Sequence, residues 1–171
     1  MSSLTLLGDT SGSVVLDAPP ISGSTTITFA AQSGTLNVGG PAFSAVQSSS
    51  QTISNATNTK LEFQTEEFDT ANCYSTSTSR FTPNVAGYYQ VNVSAGGWAS
   101  TTYVQLWIWK NGSQNKAVSI LSGTPQASGS ALIYLNGTTD YIEGYIYMQS
   151  GQATGGSSAQ TYFQAYLART A

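Results

Sequence analysis

The stretch Arg80-Phe81-Thr82-Pro83-Asn84-Val85-Ala86-Gly87-Tyr88-Tyr89-Gln90-Val91-Asn92-Val93-Ser94 constrains this chain more than any other, because a Pro/Gly turn runs straight into a strand of strict two-residue periodicity. Tyr89, Val91 and Val93 share one face, and Tyr88, Gln90, Asn92 and Ser94 share the other. Such alternation predicts a sheet with one face in a core. The signal recurs at Phe43 to Ala45, Lys60 to Gln64, Tyr103 to Trp109, Lys116 to Leu121, Ala131 to Leu135, Tyr141 to Met148 and Tyr162 to Ala168. Turn dipeptides divide these runs: Asn111-Gly112, Ser128-Gly129, Asn136-Gly137 and Ser150-Gly151. Many short strands without a helical pattern predict an all-β sandwich or jelly roll.

A second region precedes Gly39-Gly40-Pro41. It holds shorter runs at Val14 and Leu16, at Thr26-Ile27-Thr28-Phe29, and at Leu36 and Val38, separated by Gly, Ser and Pro. Three strands this short and polar cannot bury a core alone, so residues 1 to 40 are expected to form an extended, β-rich arm or stalk that needs neighbours. Residues 41 to 171 are expected to form the head domain.

Only 8% of the 171 residues are charged, against about 25% in ordinary domains, and the net charge is -3. Five scattered basic residues, Lys60, Arg80, Lys110, Lys116 and Arg169, argue against nucleic acid as a partner. Cys73 is the single cysteine, so no intrachain disulfide is possible and the thiol is expected to be a buried hydrophobe. The start, Met1-Ser-Ser-Leu-Thr, lacks the pattern of a secretory signal, and no apolar run is long enough for a membrane helix. A soluble product without membrane insertion is expected. The sequons at Asn55, Asn92, Asn111 and Asn136 are read as chance in an Asn/Ser/Thr-rich chain.

The absence of histidine removes Ser-His-Asp and Cys-His nucleophile sets and the usual zinc sites. Glu62, Glu66, Glu67 and Asp69 are the densest acidic group; they could be a carboxylate pair for glycoside hydrolysis or a hard-cation site, and a solvated strand end and loop is the preferred reading. Asp140 and Glu143 are read as a turn and an exposed strand position. No catalytic residue, cofactor or metal is therefore expected.

Several strands are apolar on both faces. In Tyr103-Val-Gln-Leu-Trp-Ile-Trp109 the residues Val104, Leu106 and Ile108 make one face, and Tyr103, Trp107 and Trp109 the other. Tyr145 and Tyr147 oppose Ile146 and Met148, and Tyr166 opposes Leu167. One face fills a core, and the aromatic face of Tyr103, Trp107, Trp109, Tyr145, Tyr147 and Tyr166 is either a trimer seam or a sugar platform; the seam is preferred. Trp98, beyond Gly96-Gly97, is a candidate ligand contact at a loop rim or a packed loop anchor. Gln114, Asn115 and the Gly155-Gly156 loop are candidate exposed contacts.

The order of these motifs resembles the globular heads of complement subcomponent q and their tumour-necrosis-factor-like relatives. The resemblance runs through Pro41-Ala-Phe-Ser-Ala45, Phe81-Thr-Pro-Asn-Val-Ala-Gly-Tyr-Tyr-Gln-Val91 and Val104-Gln-Leu-Trp-Ile-Trp-Lys-Asn-Gly112. It continues through Ser128-Gly-Ser-Ala-Leu-Ile-Tyr-Leu135, Tyr141-Ile-Glu-Gly-Tyr-Ile-Tyr147 and Tyr162-Phe-Gln-Ala-Tyr-Leu167. Two departures stand out: the usual Gly-Asp is stretched to Gly137-Thr-Thr-Asp140, and the terminal Phe-x-Gly-x-Leu becomes Phe163-Gln-Ala-Tyr-Leu167. The resemblance implies a jelly-roll sandwich, homotrimeric, that recognises partners through exposed loops.

Leu6-Leu-Gly-Asp9, Thr26-Ile-Thr-Phe29 and Ser33-Gly-Thr-Leu36 resemble stretches of tailed-bacteriophage fibre and virion proteins. Together the two resemblances imply a non-enzymatic virion protein, made in the host cytoplasm: a capsid decoration or cement trimer, or a short fibre. Its partners would be its own copies and, through residues 1 to 40, other virion proteins such as the major capsid protein. The alternative is a tail-fibre or receptor-binding head that recognises a host glycan or surface protein.

Overall fold

The computed structural model describes residues 3–7, 13–17, 39–99 and 103–171, the first two segments through their backbone alone. The chain divides into two units, Met1–Gly34 and Thr35–Ala171. In the first, β1 (Ser3–Leu7) pairs antiparallel with β2 (Ser13–Asp17), in a register that sets Leu4 opposite Leu16 and Leu6 opposite Val14. The strands expected at Thr26 to Phe29 and at Leu36 and Val38 lie outside the described residues.

The second unit holds β3 (Ala42–Val46), β4 (Thr52–Ile53), β5 (Thr59–Lys60), β6 (Thr65–Asp69), β7 (Tyr74–Ser75), β8 (Arg80–Phe81) and β9 (Gly87–Gly96). It continues with β10 (Val104–Lys110), β11 (Ser113–Leu121), β12 (Gln126–Leu135), β13 (Ile142–Met148), β14 (Gln152–Ala153) and β15 (Tyr162–Thr170). One sheet runs β12-β9-β15-β3-β6, and the other runs β11-β10-β13-β8-β7 with β5 also on β13. β14 and β4 pair separately. None of the described residues is helical, and the two sheets form an all-β jelly roll.

Two-residue periodicity decides which side chains enter the space between the sheets. Tyr89, Val91 and Val93 are buried from β9, Val104, Leu106 and Ile108 from β10, and Ile142, Ile146 and Met148 from β13. At one end the core is aromatic. Phe43 stacks on Phe81 at 4.5 Å and on Tyr74 at 4.7 Å, and meets Phe163 edge-on at 5.1 Å between ring centroids. The phenols at its margin are hydrogen-bonded: Tyr74 Oη donates to the Phe63 carbonyl (2.9 Å) and Tyr89 Oη to the Val85 carbonyl (2.7 Å). Cys73 is buried there as a free thiol, and burial raises its pKa.

Three local expectations differ from the structure. The strand expected over Lys60 to Gln64 is only Thr59–Lys60; Leu61 N–H still donates to the Gly144 carbonyl, and side chains then replace the ladder, Glu62 N–H donating to Gln51 Oε1 and Phe63 N–H to Ser79 Oγ, with Leu61 and Phe63 fully buried. The acidic segment expected as a strand end and loop is the edge strand β6, paired with β3. Ser128-Gly129 is not a turn but lies inside β12. A Cβ on Gly129 would fall 2.2 Å from the Val118 carbonyl oxygen, so this glycine marks a close crossing of two backbones. The Asn111-Gly112 turn does join β10 to β11, with φ values of 53° and 74° that suit a tight hairpin.

Candidate functional site

The six aromatics expected to share one face do not. Tyr103, Trp107, Trp109, Tyr145 and Tyr147 lie on or beside β10 and β13, whereas Tyr166 belongs to β15 in the opposite sheet. Strand periodicity gives the face of each residue but not the sheet, because sheet membership depends on long-range pairing.

The five on the β10–β13 sheet are half-buried and pack on one another. Trp109 stacks on Tyr145 at 3.8 Å with planes 10° apart, and Tyr103 meets Tyr147 edge-on at 6.2 Å. Gln105 sits between them, its Nε2 donating to the Tyr103 hydroxyl and its Oε1 accepting from Trp107 Nε1 at 3.1 Å. Next in this layer is Glu143, which is not exposed but 2% accessible. Its Oε1 accepts from Arg80 Nη2 (3.1 Å) and Nε (3.3 Å) and lies 3.5 Å from Lys60 Nζ, while the Arg80 guanidinium stacks 3.6 Å above Tyr141. A buried carboxylate persists only when paired, and here two partly exposed cations cover it. Burial, and then the Glu143 charge, raises the Tyr145 pKa and keeps that phenol neutral.

The outer face of the five-stranded sheet differs. Tyr88, Leu132, Tyr134 and Tyr166 are 43%, 54%, 42% and 51% exposed, so large apolar side chains stand free on this face. The register joins them: Leu132 and Tyr166 flank Gln90, and Tyr134 opposes Tyr88 with ring centroids 5.5 Å apart. Beside them is a cavity of about 450 Å³ lined by Tyr88, Leu132, Ala168, Arg169, Thr170 and Ala171. Farther along the sheet the rows turn polar, where Gln164 Nε2 donates to Ser44 Oγ (3.0 Å) and Ser44 Oγ donates to Glu67 Oε2 (2.6 Å). Leu132 and Tyr134 were not expected in a site, although Ala131 to Leu135 is apolar on both faces and so carried the signal.

Of the two readings of Trp98, the structure shows the packed loop anchor and not the ligand contact at a loop rim. It is 4% exposed and its Nε1 donates to the Thr124 carbonyl at 2.8 Å, so its ring offers no free face to a sugar. The acidic group likewise has structural work. Asp69 accepts from the backbone N–H groups of Ala71, Cys73 and Tyr74, and Glu67 holds Ser44. Among the described residues no three His, Cys, Asp or Glu side chains gather to hold a metal. Gln114 and Asn115 are exposed on β11.

Asp140 ties two loops together. Its Oδ1 accepts from Asn111 Nδ2 (2.7 Å), and its Oδ2 accepts from the Asn136 N–H (3.0 Å) and lies 2.8 Å from Lys110 Nζ. Burial alone raises the Asp140 pKa, but the hydrogen bonds from Asn111, Lys110 and Asn136 and the Lys110 charge outweigh it, and the net shift is downward. A lowered folded-state pKa adds stability that is present above the unfolded value and lost as pH falls through the folded one. Asp140→Asn is therefore expected to lower stability by about 1 kcal/mol at neutral pH. The gap to the parent protein should close in acid, as read by melting temperature between neutral pH and pH values below the usual carboxylate range. A gap that stays constant with pH would contradict the assignment.

The C1q domain family matches residues 42–168. No curated protein is similar enough in sequence to count as a relative. Among solved structures, the globular domain of zebrafish complement 1qA protein is similar at a TM-score of 0.59 and 15% identity, over 77% of this chain and 99% of that one. Murine APRIL at pH 8.0 has a TM-score of 0.60 and 11% identity, over 74% and 98%. Vertex protein P5 of the phage PRD1 has a TM-score of 0.55 and 16% identity, over 75% and 97%. At these identities the structural likenesses establish the fold. Folds homologous to this one form homotrimers, and such domains are typically non-enzymatic structural or ligand-binding modules. With the family matched across most of its length and two antiparallel sheets enclosing one core, this chain belongs to the C1q-domain family.

Proposed function

We propose that the chain is a non-enzymatic structural protein of a phage particle, a homotrimer that decorates or cements the capsid surface. The observation that carries the reading is the exposed apolar face of Tyr88, Leu132, Tyr134 and Tyr166 on a jelly roll similar in fold to a phage vertex protein. A monomer would leave that face in water, and a closed ring of three copies removes it. The seam thus shifts from the β10–β13 aromatics, which already pack on one another, to the outer face of the five-stranded sheet. The cavity beside Arg169 would receive a side chain from the next copy.

Residues 1–40 serve in this reading as the attachment arm. A lone two-stranded hairpin is marginal in water, so β1 and β2 gain stability by joining neighbouring protein. In a trimer three arms would engage the shell together, and weak contacts would add by avidity. Removing residues 1–38 is expected to abolish attachment to particles while leaving a folded trimer, checked by co-sedimentation with particles and by the sedimentation of the truncated protein alone. Attachment that survives the truncation would overturn the arm's role, and gold label found only on the tail would favour a fibre instead.

A further inference from the structure

We propose that the cavity beside Arg169 receives Phe68 of the next copy of this chain, with Glu67 of that copy facing Arg169. The two edges of the five-stranded sheet would then meet around the ring. The inference rests on the homotrimer reading and adds to it which surfaces join. Register is the first argument. Phe68 pairs with Ser44, Ser44 with Gln164 and Gln164 with Asn92, and cross-strand partners share a face. Phe68 therefore stands on the outer face, the same face as Tyr88, Leu132, Tyr134 and Tyr166, and is 52% exposed there. β6 is one edge of the sheet, and Tyr88 on β9 and Leu132 on β12 lie three and four strands away. At about 4.8 Å per strand, those walls of the cavity are out of reach of Phe68 in its own chain. The cavity, at about 450 Å³, is well above the ~150 Å³ that accepts a benzene ring, so a phenyl group from another chain fits.

Charge is the second argument. Glu66 and Glu67 are exposed on β6, and that strand carries no cation. Arg169 is exposed at the cavity, and among the described residues it meets no carboxylate of its own chain. Ser44 occupies one oxygen of Glu67, and a carboxylate has capacity for further donors. A contact of β6 with β6 would set carboxylates against carboxylates, and a contact of two cavities would set Arg169 against Arg169. Joining β6 of one copy to the cavity of the next pairs opposite charges instead. Such a head-to-tail contact is the kind that closes into a ring.

The test is photo-crosslinking of the full chain with p-benzoylphenylalanine in place of Phe68, an aromatic side chain that keeps the contact. Irradiation is expected to give covalent species of up to three chains on a denaturing gel, with the link mapped to residues 168–171 or Leu132 of another copy. Glu67→Arg is expected to raise the concentration at which the trimer half-dissociates by at least about tenfold, and joining it to Arg169→Glu should recover most of that loss. Where the crosslinking variant does not assemble, the exchange of Glu67 and Arg169 decides by itself. Links that map to β6 of another copy would overturn the contact and leave the homotrimer standing. So would a protein trimeric by mass that gives no interchain link, or a loss from Glu67→Arg that Arg169→Glu does not repair. A parent protein that sediments as a monomer would instead remove the homotrimer reading, and this contact with it.

Discussion

Phe43→Ala is expected to destabilise the head by about 3–5 kcal/mol, the range for truncating a fully enclosed aromatic. Phe43 is 1% exposed and touches rings from both sheets: Phe163 on its own sheet, and Tyr74 and Phe81 on the other. Truncation forfeits the burial of the ring and three aromatic contacts at once, and leaves a void that three stiff rings cannot close. Phe43→Leu keeps most of the volume and should cost clearly less. Urea denaturation followed by tryptophan emission would read both. A loss under about 1.5 kcal/mol for the alanine variant would mean that the two sheets do not meet through Phe43.

Leu132→Asp and Tyr166→Asp are each expected to convert the assembled protein to monomers without unfolding it. Both side chains are about half exposed in the single chain, so a carboxylate there is tolerated by the monomer. In a seam the same carboxylate would be buried without a partner, at about 3–5 kcal/mol per interface, and three interfaces repeat the cost in each ring. Such a loss exceeds two factors of ten in affinity at every contact. Tyr147→Asp, on the opposite sheet, should leave assembly intact. Light scattering separates the outcomes, and dissociation by Tyr147→Asp alone would return the seam to the β10–β13 aromatics.

Much of the head was legible in its periodicity. The alternation of Tyr89, Val91 and Val93 with Tyr88, Gln90 and Asn92 named the buried side of β9 correctly, and Asn111-Gly112 named the hairpin that joins β10 to β11. Each of those signals is local, set by the pleat or by a turn. What failed was non-local. Tyr166 was joined to Trp107 because both sit on apolar outer faces, yet the strands that carry them belong to different sheets. Gly129 looked like a turn because Ser-Gly usually is one, and only the approach of Val118 explains a glycine there.

The Glu143 pairings were invisible for the same reason, since Arg80 and Lys60 reach it across 63 and 83 positions of chain. For Trp98 the sequence left a loop-rim contact and a packed anchor open, and the contacts that decide between them, the Thr124 carbonyl and the surrounding core, come from distant parts of the chain. Burial of the single cysteine followed an expectation that needed only composition, whereas the three backbone N–H groups held by Asp69 were not expected of an acidic group read as a solvated strand end and loop.

The mass of the full chain in solution, by sedimentation equilibrium at micromolar concentration, tests the trimer most directly. The account predicts a single species of three times the chain mass of 17.9 kDa, stable on dilution and reduced to one chain by Tyr166→Asp. A monomer with Tyr88, Leu132, Tyr134 and Tyr166 left in water, or a trimer indifferent to Tyr166→Asp, would contradict it.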